Sequence, residues 1–230
     1  MLVGCRTSWQ QRVESVRALR GVRVEGEKLA EFLEPRMLLL LSSARSLADS
    51  PATKACAAML TSDGYGLTAA HAVARPARAT RTAGAAAPEG GDVRVVWRGD
   101  VDDGCDLALI HVAGLTPGPG FALARPDAAA VGTRAVLGGY PGGAVRIALS
   151  GGEVTGVAAR AGEPGWVTLE HSAAGQEGDS GGPVIDAQGR LLGVTSGGYW
   201  SPVGGWRGVA HLPDPVWLAR TIEADRRARR

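Results

Sequence analysis

Lysine is nearly missing from this chain: among 25 basic residues only Lys28 and Lys54 are lysines, and the formal net charge is +2. So small a balance gives no electrostatic footprint for a nucleic-acid partner. The terminal run Arg226 to Arg230 reads as a frayed, solvated tail rather than a docking surface. Cysteine is also scarce. Cys5, Cys56 and Cys105 cannot all pair within one chain, and none has the spacing of a metal site. Neither a disulfide framework, a metal nor any other cofactor is expected. Cys56 and Cys105 lie in apolar runs and read as buried free thiols, with a bridge between them as the alternative. No apolar run reaches about 18 residues, which argues against membrane insertion through a helix. Leu2-Val3-Gly4-Cys5 has the look of a lipobox but lacks the charged and apolar segments a lipoprotein signal needs upstream, and Met37 to Leu41 is too short and too far along for a signal core. With no recognisable signal the default location is cytoplasmic, and export is the alternative if the true start lies elsewhere.

What is abundant is glycine, 34 residues, together with 13 prolines. That composition favours many tight turns and an all-β or β-rich chain, and 230 residues suit one such domain or two small packed barrels. Residues 1–35 form an N-terminal extension in which Val13, Val16, Leu19, Val22, Leu29, Phe32 and Leu33 recur at helical spacing, predicting two short amphipathic helices before Pro35. Strands are expected at 36–42, 54–61, 67–68, 93–97, 106–112, 133–139, 144–157, 166–170, 183–186, 191–196 and 208–212. Residues 74–91, rich in Ala, Arg, Pro and Gly, read as a surface loop, and 114–120 as a connector. Asp214-Pro215 opens a C-terminal helix over 216–227.

The string Gly178-Asp179-Ser180-Gly181-Gly182-Pro183 sets one hydroxyl between glycines that let backbone approach a bound carbonyl. A serine hydroxyl is a weak nucleophile near neutral pH, so it needs a general base, itself oriented by a third group. His71, at the end of the apolar stretch Leu67-Thr68-Ala69-Ala70, is the candidate base; alone it would read as a structural histidine. Asp106 heads the apolar run Leu107 to Ile110, and a carboxylate there needs a partner. By position Asp106 is either the orienting acid or a turn residue like Asp102 and Asp103.

The order His71, Asp106, Ser180 and the strings TAAH, DLALI and GDSGGP resemble the chymotrypsin-like serine peptidases. The wider pattern, SDGYGLTAAH, GYPGG and GDSGGPVIDAQGRLLGV, resembles the compact bacterial members such as the HtrA protease domain. The resemblance implies a trypsin-like fold over residues 36–230: one six-stranded barrel over about 36–115, a perpendicular second over about 121–212, then the helix. It implies Ser180 as nucleophile, His71 as acid and base, Asp106 as orienting acid, and the N–H groups of Gly178 and Ser180 as an oxyanion hole. Ser196, Gly197 and Gly198 would align an extended polypeptide substrate, with a plain strand-end turn as the competing reading. Ala174, Gly175, Thr195, Ser196 and residues 208–210 would border the recess for P1, the substrate residue whose carbonyl is attacked. None of these is charged, so a small or medium apolar P1 is expected. His171 and Glu177 are read as solvated loop residues, and His111 and His211 receive no role.

The expected function is a serine endopeptidase working through an acyl-enzyme. The competing readings are a catalytically silent module on the same fold and an esterase using the same residues. Three departures from the family accompany this reading. No Ile-Val-Gly-Gly-like start precedes the first barrel, so the intact chain is expected to be competent and Asp179, the acid that pairs with a freed amine in zymogens, must take another partner. Ala72 stands where a disulfide partner of Cys56 would be in animal relatives. Nothing after Ile222 is long enough for a PDZ domain; oligomeric state is left open.

Overall fold

The computed structural model describes residues 26–42, 54–81, 89–144, 146–203 and 205–230. Two closed antiparallel barrels of six strands each form the molecule. The first contains β1 (Met37–Ser42), β2 (Lys54–Met59), β3 (Tyr65–Thr68), β4 (Ala77–Arg81), β5 (Glu89–Arg98) and β6 (Ala108–Val112), closed in the order β1-β2-β3-β6-β5-β4. The second contains β7 (Arg134–Gly139), β8 (Ala148–Arg160), β9 (Trp166–His171), β10 (Pro183–Ile185), β11 (Leu191–Ser201) and β12 (Gly205–Pro213), closed as β10-β11-β12-β9-β8-β7. Both circuits trace one pattern, with the third strand of each beside its sixth. Closure removes the edge strands through which open sheets aggregate.

Side chains alternating in and out of the pleat supply the cores. Leu38 and Leu40 with Ile110 and Val112 fill one barrel, and Leu137, Val154, Leu169 and Val184 the other. The largest cluster lies where the two meet, and it takes in Leu29 and Leu33 from helix α1 (Gly26–Leu33) together with Met37, Phe121 and Leu191. Burying Leu33 completely contributes about 1.5–3 kcal/mol, so the second of the two expected amphipathic helices is a packing element of the double barrel. The first lies outside the described residues.

Several sequence expectations need correction. Residues 77–81 are not loop but β4, paired with β1 from Leu39↔Thr80 to Ser42↔Ala77; its inward positions Ala77 and Ala79 are too small to produce an apolar signal. β11 does not stop at Ser196 but runs on as a hairpin with β12 to the pair Ser201↔Gly205. The C-terminal arginines are not a frayed tail. Helix α2 (Pro215–Ala228) is capped by Asp214, whose carboxylate accepts from the N–H of Trp217 at 2.8 Å, and its last turns dock on the first barrel. Asp225 accepts from Tyr65 Oη at 2.7 Å and pairs with Arg94 at 2.5 Å, Arg226 reaches Asp63 at 2.8 Å, and Arg229 donates to Tyr65 Oη at 2.7 Å. Among the described residues no helix is long and apolar enough to cross a membrane.

Candidate active site

His71 sits one element later than its sequence suggests. β3 ends at Thr68, and His71 stands in a 3-10 turn, Ala70–Val73, that buries Ala70, Ala72 and Val73 and leaves the imidazole 45% exposed. Asp106 lies just before β6 and is only 7% exposed. Its carboxylate grips the histidine twice: Oδ1 accepts from the His71 backbone N–H at 2.9 Å, and Oδ2 lies 2.7 Å from Nδ1. The second bond places the proton on Nδ1 and leaves Nε2 as the basic nitrogen. Asp106 thus has the partner that a buried carboxylate needs.

Ser196 Oγ also donates to Asp106 Oδ2, at 2.7 Å, which joins the barrels through one carboxylate. Burial pushes the Asp106 carboxyl up, but the bonds from His71 and Ser196 outweigh it and hold the group below its usual range. The hydrogen bond from Asp106 raises His71 above the ordinary imidazole value, against the opposing effect of burial. Cys105 is no rival nucleophile: burial, and then the neighbouring Asp106, push its thiol up to about 11.

Ser180 is carried on a loop sewn to both barrels. Its carbonyl accepts from Cys56 N–H at 2.7 Å, Gly181 N–H donates to Thr195 O at 2.6 Å, and Thr195 N–H donates to Gly182 O at 2.8 Å. Gly181 has φ +77°, and a Cβ there would overlap Thr68 Oγ1 and crowd Ala69, two residues before His71. This close approach is what brings the serine loop against the histidine turn. No hydrogen bond joins Ser180 Oγ to His71 among the described residues.

Gly178 has φ +94°, and a Cβ there would collide with Tyr140 O, so only glycine fits. Its N–H and that of Ser180 donate to no acceptor among the described residues; a pair of spare donors beside a hydroxyl can hold a developing oxyanion. Cys56 Sγ donates to Gly178 O at 3.2 Å, steadying that peptide. Cys56 and Cys105 are both buried, and no disulfide joins them. No short-range pattern links residues 56 and 178, so this contact was invisible in the sequence. Asp179, 1% exposed, accepts at Oδ2 from Gln176 N–H at 2.8 Å, a backbone donor of its own loop.

Of the residues expected to border the P1 recess, Thr195, Gly208 and Ala210 are buried, Ala174 is exposed, and Gly175, Ser196 and Val209 lie between; Gly197 and Gly198, expected to align the substrate, are exposed. Glu177 is exposed, but His171 is not a solvated loop residue. It ends β9 with no exposed surface, and burial pulls its imidazole down to about 4. Among the described residues no cluster of His, Cys, Asp and Glu could hold a metal ion.

Residues 56–194 match the family model described as Trypsin-like peptidase domain. No curated protein matches the chain. Among solved structures, the HtrA-type protease AlgW with tripeptide superposes on 81% of the chain with TM-score 0.60 and 22% identity, and the chain covers 58% of that protein's length. AlgW with decapeptide gives 82%, TM-score 0.59 and 21% identity, with 63% of its own length covered. The Rv3671c protease from M. tuberculosis, in its active form, gives 85%, TM-score 0.64 and 22% identity, with 82% covered. At such identity the likeness is one of fold.

Proposed function

The chain belongs to the trypsin-like peptidase family, and from that premise we propose that it is a serine endopeptidase using Ser180, His71 and Asp106. Nε2 of His71 takes the proton as Ser180 Oγ attacks the peptide carbonyl; the spare N–H groups of Gly178 and Ser180 hold the oxyanion; the imidazolium then protonates the leaving amine. Water repeats the sequence on the acyl-enzyme. The observation that carries this reading is the double grip of Asp106 on His71, 2.9 Å to the backbone N–H and 2.7 Å to Nδ1, because it fixes the one tautomer able to serve as base. The trypsin-like peptidase family and the AlgW proteases with peptides support a polypeptide as the substrate class, and we place it along Ser196 to Gly198.

A fluorophosphonate probe labels the wild type and leaves Ser180→Ala unlabelled, and only the wild type cuts casein. Folded wild-type protein that takes no label overturns the proposal. Labelling with ester turnover but no cleavage of any peptide in a library selects the esterase reading.

A further inference from the structure

On the proposed peptidase reading the P1 recess lies between the loop through Ala173 and Gly175 and Gly198 of β11. Gly198 faces Gly208 across the β11–β12 ladder, and Gly208 faces His171 across β12–β9. Glycines in these positions leave room that a neighbouring side chain can take. Here it is filled. Trp206 lies two residues before Gly208 and therefore on the same face of the strand. Its indole lies so close over Gly198 that a Cβ there would overlap the ring, and the same ring edge comes within 3.6 Å of a Cβ built on Gly175. Nε1 donates to Ala173 O at 3.2 Å, tying the indole to the opposite wall. Behind it the neutral His171 ring presses on Gly208 so closely that a Cβ there too would overlap.

We propose that Trp206 is a specificity-determining residue that closes the P1 recess to all but small side chains. Glycine, alanine and serine fit in front of the indole; leucine and phenylalanine meet its edge. The wall is apolar and His171 behind it is uncharged, so no charged P1 residue finds a counter-ion. Rejection by shape has a bounded size, on the order of 10- to 200-fold for each group that does not fit.

This inference rests on the proposed peptidase reading for its location, so its test is a binding measurement that needs no turnover. In the Ser180→Ala background, acetylated pentapeptides identical except for a C-terminal Ala or Phe are titrated calorimetrically. The Ala-ended peptide binds at least about tenfold tighter, and adding Trp206→Ala raises affinity for the Phe-ended peptide at least about tenfold. Trp206→Leu, which keeps an apolar wall but shortens it, gives an intermediate gain and covers the case in which the alanine variant does not fold. Equal affinities in the parent, no binding of either peptide, or a Phe discrimination unmoved by both substitutions overturns the role of Trp206. Fluorophosphonate labelling of the wild type reports separately on Ser180, so failure of the recess and failure of the peptidase reading give different results.

Discussion

The two barrels share one strand circuit and contribute different things to the cleft between them. Barrel one supplies side chains: a 3-10 turn after its third strand holds His71, and the segment before its sixth holds Asp106. Barrel two supplies mainly backbone, in the spare N–H groups of Gly178 and Ser180 and the exposed stretch Gly197-Gly198, with Ser180 and Ser196 as its hydroxyls. Proton transfer needs groups of defined basicity, which only side chains have, whereas oxyanion binding and strand alignment need fixed donors, which backbone provides without rotamer freedom. Each half therefore fails in its own way.

Breaking the side-chain half has the larger effect. Asp106→Asn keeps the shape but lets the amide hold the wrong tautomer of His71, and kcat falls about 10⁴-fold with KM little changed; a loss under tenfold in steady-state kinetics would remove Asp106 from the mechanism. Breaking the backbone half costs less. Gly178→Ala must leave φ +94° and move away from Tyr140 O, so one donor turns out of place and kcat falls about 100- to 1000-fold. Retained near-ultraviolet circular dichroism distinguishes this from unfolding.

The smallest effect sharpens the comparison by pH. His71 titrates above the ordinary imidazole value because of Asp106, and only the neutral ring accepts a proton. Activity therefore falls as pH drops through a midpoint above about 6.5, tenfold per unit below it, in kcat/KM against pH. The linked stability runs the other way: the raised value stabilises the fold fully below the ordinary imidazole value, and this is lost as pH rises through the folded one. Asp106, held low, contributes stability above the ordinary carboxylate value that is lost in acid. In Asp106→Asn the midpoint moves down toward the ordinary imidazole value; an unmoved midpoint would mean another group titrates.

Much of the fold was legible because apolar runs separated by glycine-rich turns mark strands, and the short strings around His71, Asp106 and Ser180 carry their own spacing. β4 was not, since alanines suffice inside a small barrel and leave no hydrophobic period. The end of β11 was lost to Gly197-Gly198, which looks like a stop but is a ladder passing under Trp206. His171, taken for a loop residue, is buried because Gly208 leaves it a slot, a complementarity between distant positions that no local pattern encodes.

The sequence by itself determined a β-rich chain, a serine set among glycines, and a histidine and an aspartate as its candidate partners, since these depend on residue type and near spacing. Only the tertiary structure decided that Asp106 grips the backbone N–H and Nδ1 of His71, that Cys56 steadies the Gly178 peptide, that the C-terminal arginines lock onto barrel one, and that the Trp206 indole ties to Ala173. Each of these joins groups far apart in the chain, and their distances are set by barrel closure and packing rather than by any segment alone.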